Sequence, residues 1–158
     1  MKNLFDVTGK VIVVTGSTGI LAGGTAKYLQ HQGAKVVYLG RNQSKVDAVL
    51  EEAKKISDHC LGVTTDVLDE DGLKTAHEKV MNEFGRIDSL INGAGGNMPG
   101  ATIGPGKDIF DLDLHDYSGV MDLNLKGTVL PTITFARTFR EQGSGTVINF
   151  SSMSSGQA

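Results

Sequence analysis

The stretch at residues 11–24, VIVVTGSTGILAGG, combines the residue types that can receive an anion. Gly16 and Gly19 let the backbone turn sharply and approach a ligand with no Cβ in the way. Ser17 and Thr18 lie between them, and Ile20 and Leu21 open a helical pattern. The first amides of a helix carry unpaired N–H groups and the positive end of the helix dipole. A pyrophosphate fits such a turn. Glycine also serves strand–turn–helix junctions for conformational reasons alone, so the context must decide. The spacing departs from the usual G-x-x-x-G-x-G fingerprint. Gly19 comes one residue early, and Ala22 takes the place of the third glycine, an accepted small residue where a helix packs on its strand.

The elements that must position this turn follow from periodicity. Residues 11–14 are apolar on both faces, as a central parallel strand covered by helices should be. Ala26 and Leu29 continue a helix that Gly33 ends, and residues 35–39 (KVVYL) read as a second buried strand. Val46, Val49, Leu50, Ala53 and Ile56 recur at helical spacing before a third strand at residues 60–64. Leu73, Ala76, Val80, Met81 and Phe84 mark the next helix, closed by Gly85, and residues 87–91 form a fourth strand. Residues 97–107 are rich in glycine and proline and read as a loop that either shapes a pocket or merely connects. Residues 115–142 predict one long helix, containing Asn124 and kinked at Pro131. Gly143-Ser144-Gly145 ends it, and residues 146–150 form a fifth strand.

Strand and helix alternate with short connections. This specifies an α/β fold, a Rossmann-type doubly wound parallel sheet with strand order 3-2-1-4-5 and right-handed crossovers. No repeat, low-complexity tract or linker interrupts residues 1–158, which predict a single dinucleotide-binding domain. The fold gathers four clusters at the carboxyl ends of its strands: the glycine turn, Asp66-Val67, Asn92-Gly93-Ala94-Gly95 and Ser151-Ser152.

Composition narrows the partners. The 158 residues carry a net charge of −3 with both signs interspersed, which argues against nucleic acid and against a polybasic membrane anchor. The single cysteine, Cys60, begins an apolar strand and reads as a small core residue. No apolar run approaches the length of a membrane span, and the first residues form no hydrophobic signal region, so a cytoplasmic location is expected. Without such a signal, the glycosylation-type triplets at Asn42 and Asn149 carry no weight. His31, His59, His77 and His115 lack metal-ligand spacing, so no metal is expected.

In this order and spacing the four clusters resemble the short-chain dehydrogenases/reductases over the whole chain. The resemblance implies that Gly16, Ser17, Thr18, Gly19, Ile20 and Leu21 hold the pyrophosphate and that Asp66 and Val67 border the adenine. Asn92, Gly93, Ala94 and Gly95 would support the sheet and pass behind the ribose and nicotinamide. Gly93 stands where the family's Asn-Asn-Ala-Gly has its second asparagine. The family's catalytic asparagine falls on Asn124 and its catalytic serine on Ser152. A serine hydroxyl can hold and polarise a carbonyl that receives hydride, and an asparagine interrupting a helix can anchor a proton-relay water. Read without the resemblance, the same residues serve as a helix-kink satisfier and a turn or cap.

The second strand ends in Leu39-Gly40-Arg41-Asn42, where an NAD-selective site would place an acid on the ribose hydroxyls. Arg41, beside Asn42, can instead pair with a 2′-phosphate, which favours NADP(H) over NAD(H). An arginine there can also simply cap the sheet edge in solvent. The family's Tyr-x-x-x-Lys pair would follow the serine by about a dozen residues. Tyr28, Tyr38 and Tyr117 have no lysine four residues later. The resemblance therefore predicts the amino-terminal part of a longer reductase, lacking the sixth and seventh strands and inactive by itself. INGAGGN at residues 91–97 and Ser151-Ser152-Met153 look most like the sugar-acid oxidoreductases that interconvert fructuronate and mannonate. The expected function is hydride transfer between a nicotinamide and a secondary alcohol or ketone of a small-molecule substrate, in a homo-oligomer. The alternative is a non-catalytic dinucleotide-binding module acting as a redox sensor or partner subunit.

Overall fold

The computed structural model describes residue 3 and residues 5–152. Five strands, β1 (Val11–Thr15), β2 (Lys35–Gly40), β3 (Cys60–Thr64), β4 (Ser89–Asn92) and β5 (Thr146–Asn149), form one sheet in the order β3-β2-β1-β4-β5. Every pairing is parallel, with Val13 beside Val37 on one side and beside Leu90 on the other. The helices are α1 (Ile20–His31), α2 (Gln43–Lys54), α3 (Glu70–Phe84), α4 (Leu114–Met121) and α5 (Gly127–Gln142). No helix of the described residues is long and apolar enough to cross a membrane.

Alternation along the strands sorts the core into two layers. Val11, Val13, Val37, Leu39 and Leu90 meet Leu73, Ala76, Val80 of α3 and Phe135 of α5. Ile12, Val14, Val36, Tyr38 and Ile91 point the other way, toward Ala22 and Ala26 of α1 and Ala53 of α2. Each fully buried Val, Leu or Ile contributes about 1.5–3 kcal/mol of transfer free energy, so β1 and β2 are the most strongly anchored strands. The Tyr38 hydroxyl, inside the second layer, donates to Gln30 Oε1 at 2.7 Å, and Gln30 Nε2 donates to the carbonyls of Ala53 and Ser57. Burial pushes the Tyr38 phenol far up from its ordinary value. At the opposite, amino-terminal edge of the sheet, Asp88 accepts from the Val11 amide and pairs with Lys10 and Arg86. Burial alone would raise its carboxyl; the bonds from Arg86, Val11 and Lys10 outweigh that and hold it low.

Three expectations change. The predicted long helix is two helices, α4 and α5, joined by a π turn over Asp122–Lys126. Asn124 is the reason: its Nδ2 donates to the Val120 carbonyl at 2.8 Å, inserting a side chain into the main-chain ladder. The Gly127 amide then bonds five residues back, to Asp122. Pro131, where a kink is expected, lies inside α5, one turn beyond this break. Residues 97–107 are not a free connector either: Pro99–Ala101 forms a 3-10 turn docked on α4. There the Gly100 amide donates to Asp116 and the Gly100 carbonyl accepts from the Asp113 amide. Finally, β4 begins at Ser89, because Ile87 is tied sideways, both N–H and C=O, to the Gln142 amide.

Candidate functional site

Two adjoining cavities, of about 390 and 670 Å³, run along the carboxyl ends of the strands and form one cleft. Both have Gly16, Gly19, Gly93, Ala94 and Gly95 in their walls. The smaller half adds Thr18, Leu39, Gly40, Arg41, Asn42, Lys45, Thr65, Asp66, Val67 and Leu123; the larger adds Ile20, Leu21, Ala22, Gly96, Asn124, Thr128, Phe150, Ser151 and Ser152. The fold thus brings together nearly every residue singled out from sequence. Ser17 and Asn92 are the exceptions.

Gly16 makes the floor possible. Its φ is +67°, and a Cβ there would lie 2.6 Å from the Gly93 carbonyl oxygen and 2.7 Å from Ala94 Cα. Only glycine meets both demands. Gly19 caps α1 without a side-chain hydrogen bond, leaving the first amides of α1 to face the cleft. Ser17 is fully buried, with its amide and its hydroxyl both donating to the Leu39 carbonyl. It therefore fixes the turn to β2 from below rather than meeting a ligand with its side chain.

The loop after β4 is held from three sides. Thr15 Oγ1 accepts from the amides of Gly93 and Ala94, at 3.1 and 3.2 Å. Asn92 is buried beneath, its Nδ2 donating to Thr132 Oγ1 and Asn149 Oδ1, which ties β4 to α5 and β5. Asn124 grips the loop end: Nδ2 donates to the Gly96 carbonyl at 2.7 Å and Oδ1 accepts from the Gly96 amide at 3.1 Å. With Val120 as the second acceptor, both amide hydrogens of Asn124 are committed. What its side chain has left for a relay water is a lone pair on Oδ1.

At the far end of the smaller half, Gly40 closes β2 directly under Thr18. A Cβ on Gly40 would come within 2.8 Å of Thr18 Cγ2, so a side chain at this position requires the Thr18 side chain to shift. Asn42 caps α2 by accepting from the Lys45 amide at 3.0 Å, and Arg41 precedes it on the rim. Asp66, which also lines this half, accepts from the Leu68 amide two residues on. Lys45, Gly40, Gly96 and Thr128 were not singled out from sequence. The cap at Asn42 could have revealed Lys45, because it fixes where α2 starts. Residues 97–107, considered as pocket walls, contribute to neither half.

Among the described residues, no tyrosine lines the cleft. Tyr38 is buried against Gln30, while Tyr28 and Tyr117 face solvent away from it. Met153, the last residue of the Ser151-Ser152-Met153 likeness, lies outside the described residues.

Comparison with known proteins agrees with this architecture. A family profile described as short chain dehydrogenase matches residues 10–158. The chain is 36% identical over 157 residues to the uncharacterized oxidoreductase UxuB of Bacillus subtilis, covering 94% of this chain and 56% of that protein. It is 34% identical to a 2-dehydro-3-deoxy-D-gluconate 5-dehydrogenase of Formosa agariphila, covering 97% and 56%. A crystal structure of a protein provisionally assigned as a D-mannonate oxidoreductase from Haemophilus influenza, with bound NAD, superposes with a TM-score of 0.84 at 33% identity, covering 94% of this chain and 56% of that one. The chain thus spans little more than half the length of these relatives. On the match over residues 10–158, with the sheet order and the glycine-floored cleft behind it, this chain belongs to the short chain dehydrogenase family.

Proposed function

We propose that the chain binds a nicotinamide dinucleotide and forms the cofactor half of an oxidoreductase acting on a secondary alcohol or ketone. The observation that carries this is the shared glycine floor. Gly16, Gly19 and Gly93–Gly95 join two cavities end to end, so one elongated ligand can cross them with its pyrophosphate at the start of α1. The cradle fits that group, since Gly16 and Gly19 line it with no side chain and Gly19 caps α1 without a side-chain hydrogen bond. Its adenosine end would lie by Asp66, Val67 and Arg41, and its nicotinamide end by Asn124 and Ser152. A nicotinamide bound there supplies or accepts the hydride.

The chain's own residues then do the rest. Ser152, on the wall beyond β5, holds the substrate oxygen and stabilises charge developing on it. Asn124 acts mainly by position, pinning Gly96 so that the loop behind the nicotinamide keeps its shape. The names of the relatives support a polar sugar acid such as fructuronate or mannonate as substrate. Gly40 and Arg41 favour NADP(H) over NAD(H), although the Haemophilus protein holds NAD. Exposed Val129 and Ile133 on α5 support self-association through that helix.

Fluorescence titration with NADPH and NADH tests the reading. Gly16→Val should abolish binding of both while the far-ultraviolet dichroism stays. Arg41→Ala should weaken NADPH by about 1.5–3 kcal/mol, the scale of a charge-assisted hydrogen bond, and leave NADH nearly unchanged. No binding by the unaltered protein would refute the proposal; equal loss for both cofactors would refute the role of Arg41.

A further inference from the structure

We infer that Phe150 is a positioning residue for Ser152: its ring, seated on the bare backbone of Gly93, sets where the strand end carrying Ser152 meets the cleft. This rests on the role proposed for Ser152 above. β5 ends at Asn149, and Ser152 stands in the wall of the larger half only three residues on. Phe150 joins the two. Its amide donates to the Asn92 carbonyl at 2.9 Å, which carries the β4–β5 ladder one residue past the strand. One residue earlier, Asn149 Oδ1 accepts from Asn92 Nδ2 at 2.8 Å.

The side chain adds a second hold, on the loop rather than on the strand. Phe150 Cδ2 lies 3.6 Å from where a Cβ on Gly93 would sit, so the ring rests over a position that carries no side chain. The Ala22 methyl approaches the same point from the other element, 2.6 Å from that Cβ. The start of α1, the loop after β4 and the end of β5 thus meet at Gly93, and Ala22, Gly93 and Phe150 line the larger half together. A single ladder bond at a strand end holds the chain but lets it pivot, because hydrogen-bond angles are broadly tolerated. A ring wedged on a second element removes the pivot. A hydroxyl two residues further on is sensitive to that freedom, since a displacement of about 1 Å at a reacting group can cost about 10²-fold in rate.

The test is steady-state reduction of fructuronate by NADPH in the full-length protein, comparing the unaltered enzyme with Phe150→Val, Phe150→Tyr, Ser152→Ala and the double variant Ser152→Ala/Phe150→Val. Phe150→Val removes the ring but keeps a strand-forming residue, and should lower kcat about tenfold while KM for NADPH stays within about twofold and the far-ultraviolet dichroism is retained. Phe150→Tyr keeps the ring and should recover most of the lost turnover. In the Ser152→Ala background, Phe150→Val should cost less than about twofold, because no hydroxyl is left to position. A full additional loss in that background, a rise in KM for NADPH matching the fall in kcat, or unchanged turnover in Phe150→Val would each overturn the role of Phe150 and leave the proposed function standing. Unchanged turnover in Ser152→Ala, or no reduction by the unaltered protein, would instead refute the reading on which that role rests.

Discussion

Replacing Gly93 by asparagine, the family's usual residue there, should damage this chain, and a second change should repair it. A Cβ built on Gly93 lies 2.6 Å from Ala22 Cβ and 3.0 Å from the Thr15 carbonyl oxygen. Carbon atoms pack best at about 3.5–4.0 Å, so roughly 1 Å must be found. Neither neighbour is the loose end of a long side chain: Ala22 is 2% exposed in the first turn of α1, and Thr15 is in β1. Overpacking of this kind costs about 1–3 kcal/mol. For a domain of this size that lowers Tm by about 2–4 °C per kcal/mol. Ala22→Gly removes the obstructing methyl and by itself costs about 0.5–1 kcal/mol, the helix penalty of glycine. Together the two changes restore the usual family combination of glycine in α1 and asparagine after β4, and should be less harmful than their sum by about 1–2 kcal/mol. Urea unfolding of the four proteins measures that coupling, and NADPH titration reports whether the floor keeps its shape. Strict additivity would refute the idea that Ala22 and Gly93 are matched.

Ser152→Ala in the full-length protein should lower turnover about 10²–10³-fold with cofactor affinity retained, the scale for losing one transition-state donor; unchanged rate-limiting chemistry would move the role elsewhere. His77 lies half-buried between α3 and α5, its Nε2 2.6 Å from Thr138 Oγ1, and burial depresses its pKa from about 6.5. The unfolded chain therefore takes up the proton first, so stability should be intact above pH 6.5 and fall as pH drops from there through the folded value; His77→Gln should flatten this in denaturation at pH 7 and pH 5. Residues 1–158 produced alone should scatter light, because β5 pairs only with β4 among the described residues and Ile148 and Phe150 are exposed beside it. The same preparation should reduce no keto-sugar acid with NADPH, since among the described residues no tyrosine lines the cleft; a monodisperse, active monomer would overturn both expectations.

The sheet was readable because its signals are local. Val11–Thr15 and Lys35–Gly40 are short apolar runs between turns, and each run ends where a cleft residue is needed. The clefts' floor was readable for the same reason, as glycines directly after strands. What escaped depends on contacts distant in sequence. The break before α5 follows from Asn124 reaching Val120 and Gly96 at once, and no periodicity encodes the second. Ser17 looked like a ligand contact from its place between glycines, yet the Leu39 carbonyl, 22 residues away, draws it inward. The docking of Pro99–Ala101 depends on Asp113 and Asp116, more than ten residues further along, and no periodicity encodes those contacts.

The π turn at Asp122–Lys126 is a splice between two parts of the molecule. Behind it, α5 is bolted to the sheet through Phe135 and Thr132; ahead of it, α4 carries the 3-10 turn through Asp113 and Asp116. A π turn holds one residue more than the α-turn it replaces, so deleting that residue would fuse the two helices with the faces ahead and behind nearly keeping their directions. The sheet and the glycine floor would be untouched, and the loss would fall on Asn124 and its grip on Gly96 at the edge of the larger half of the cleft.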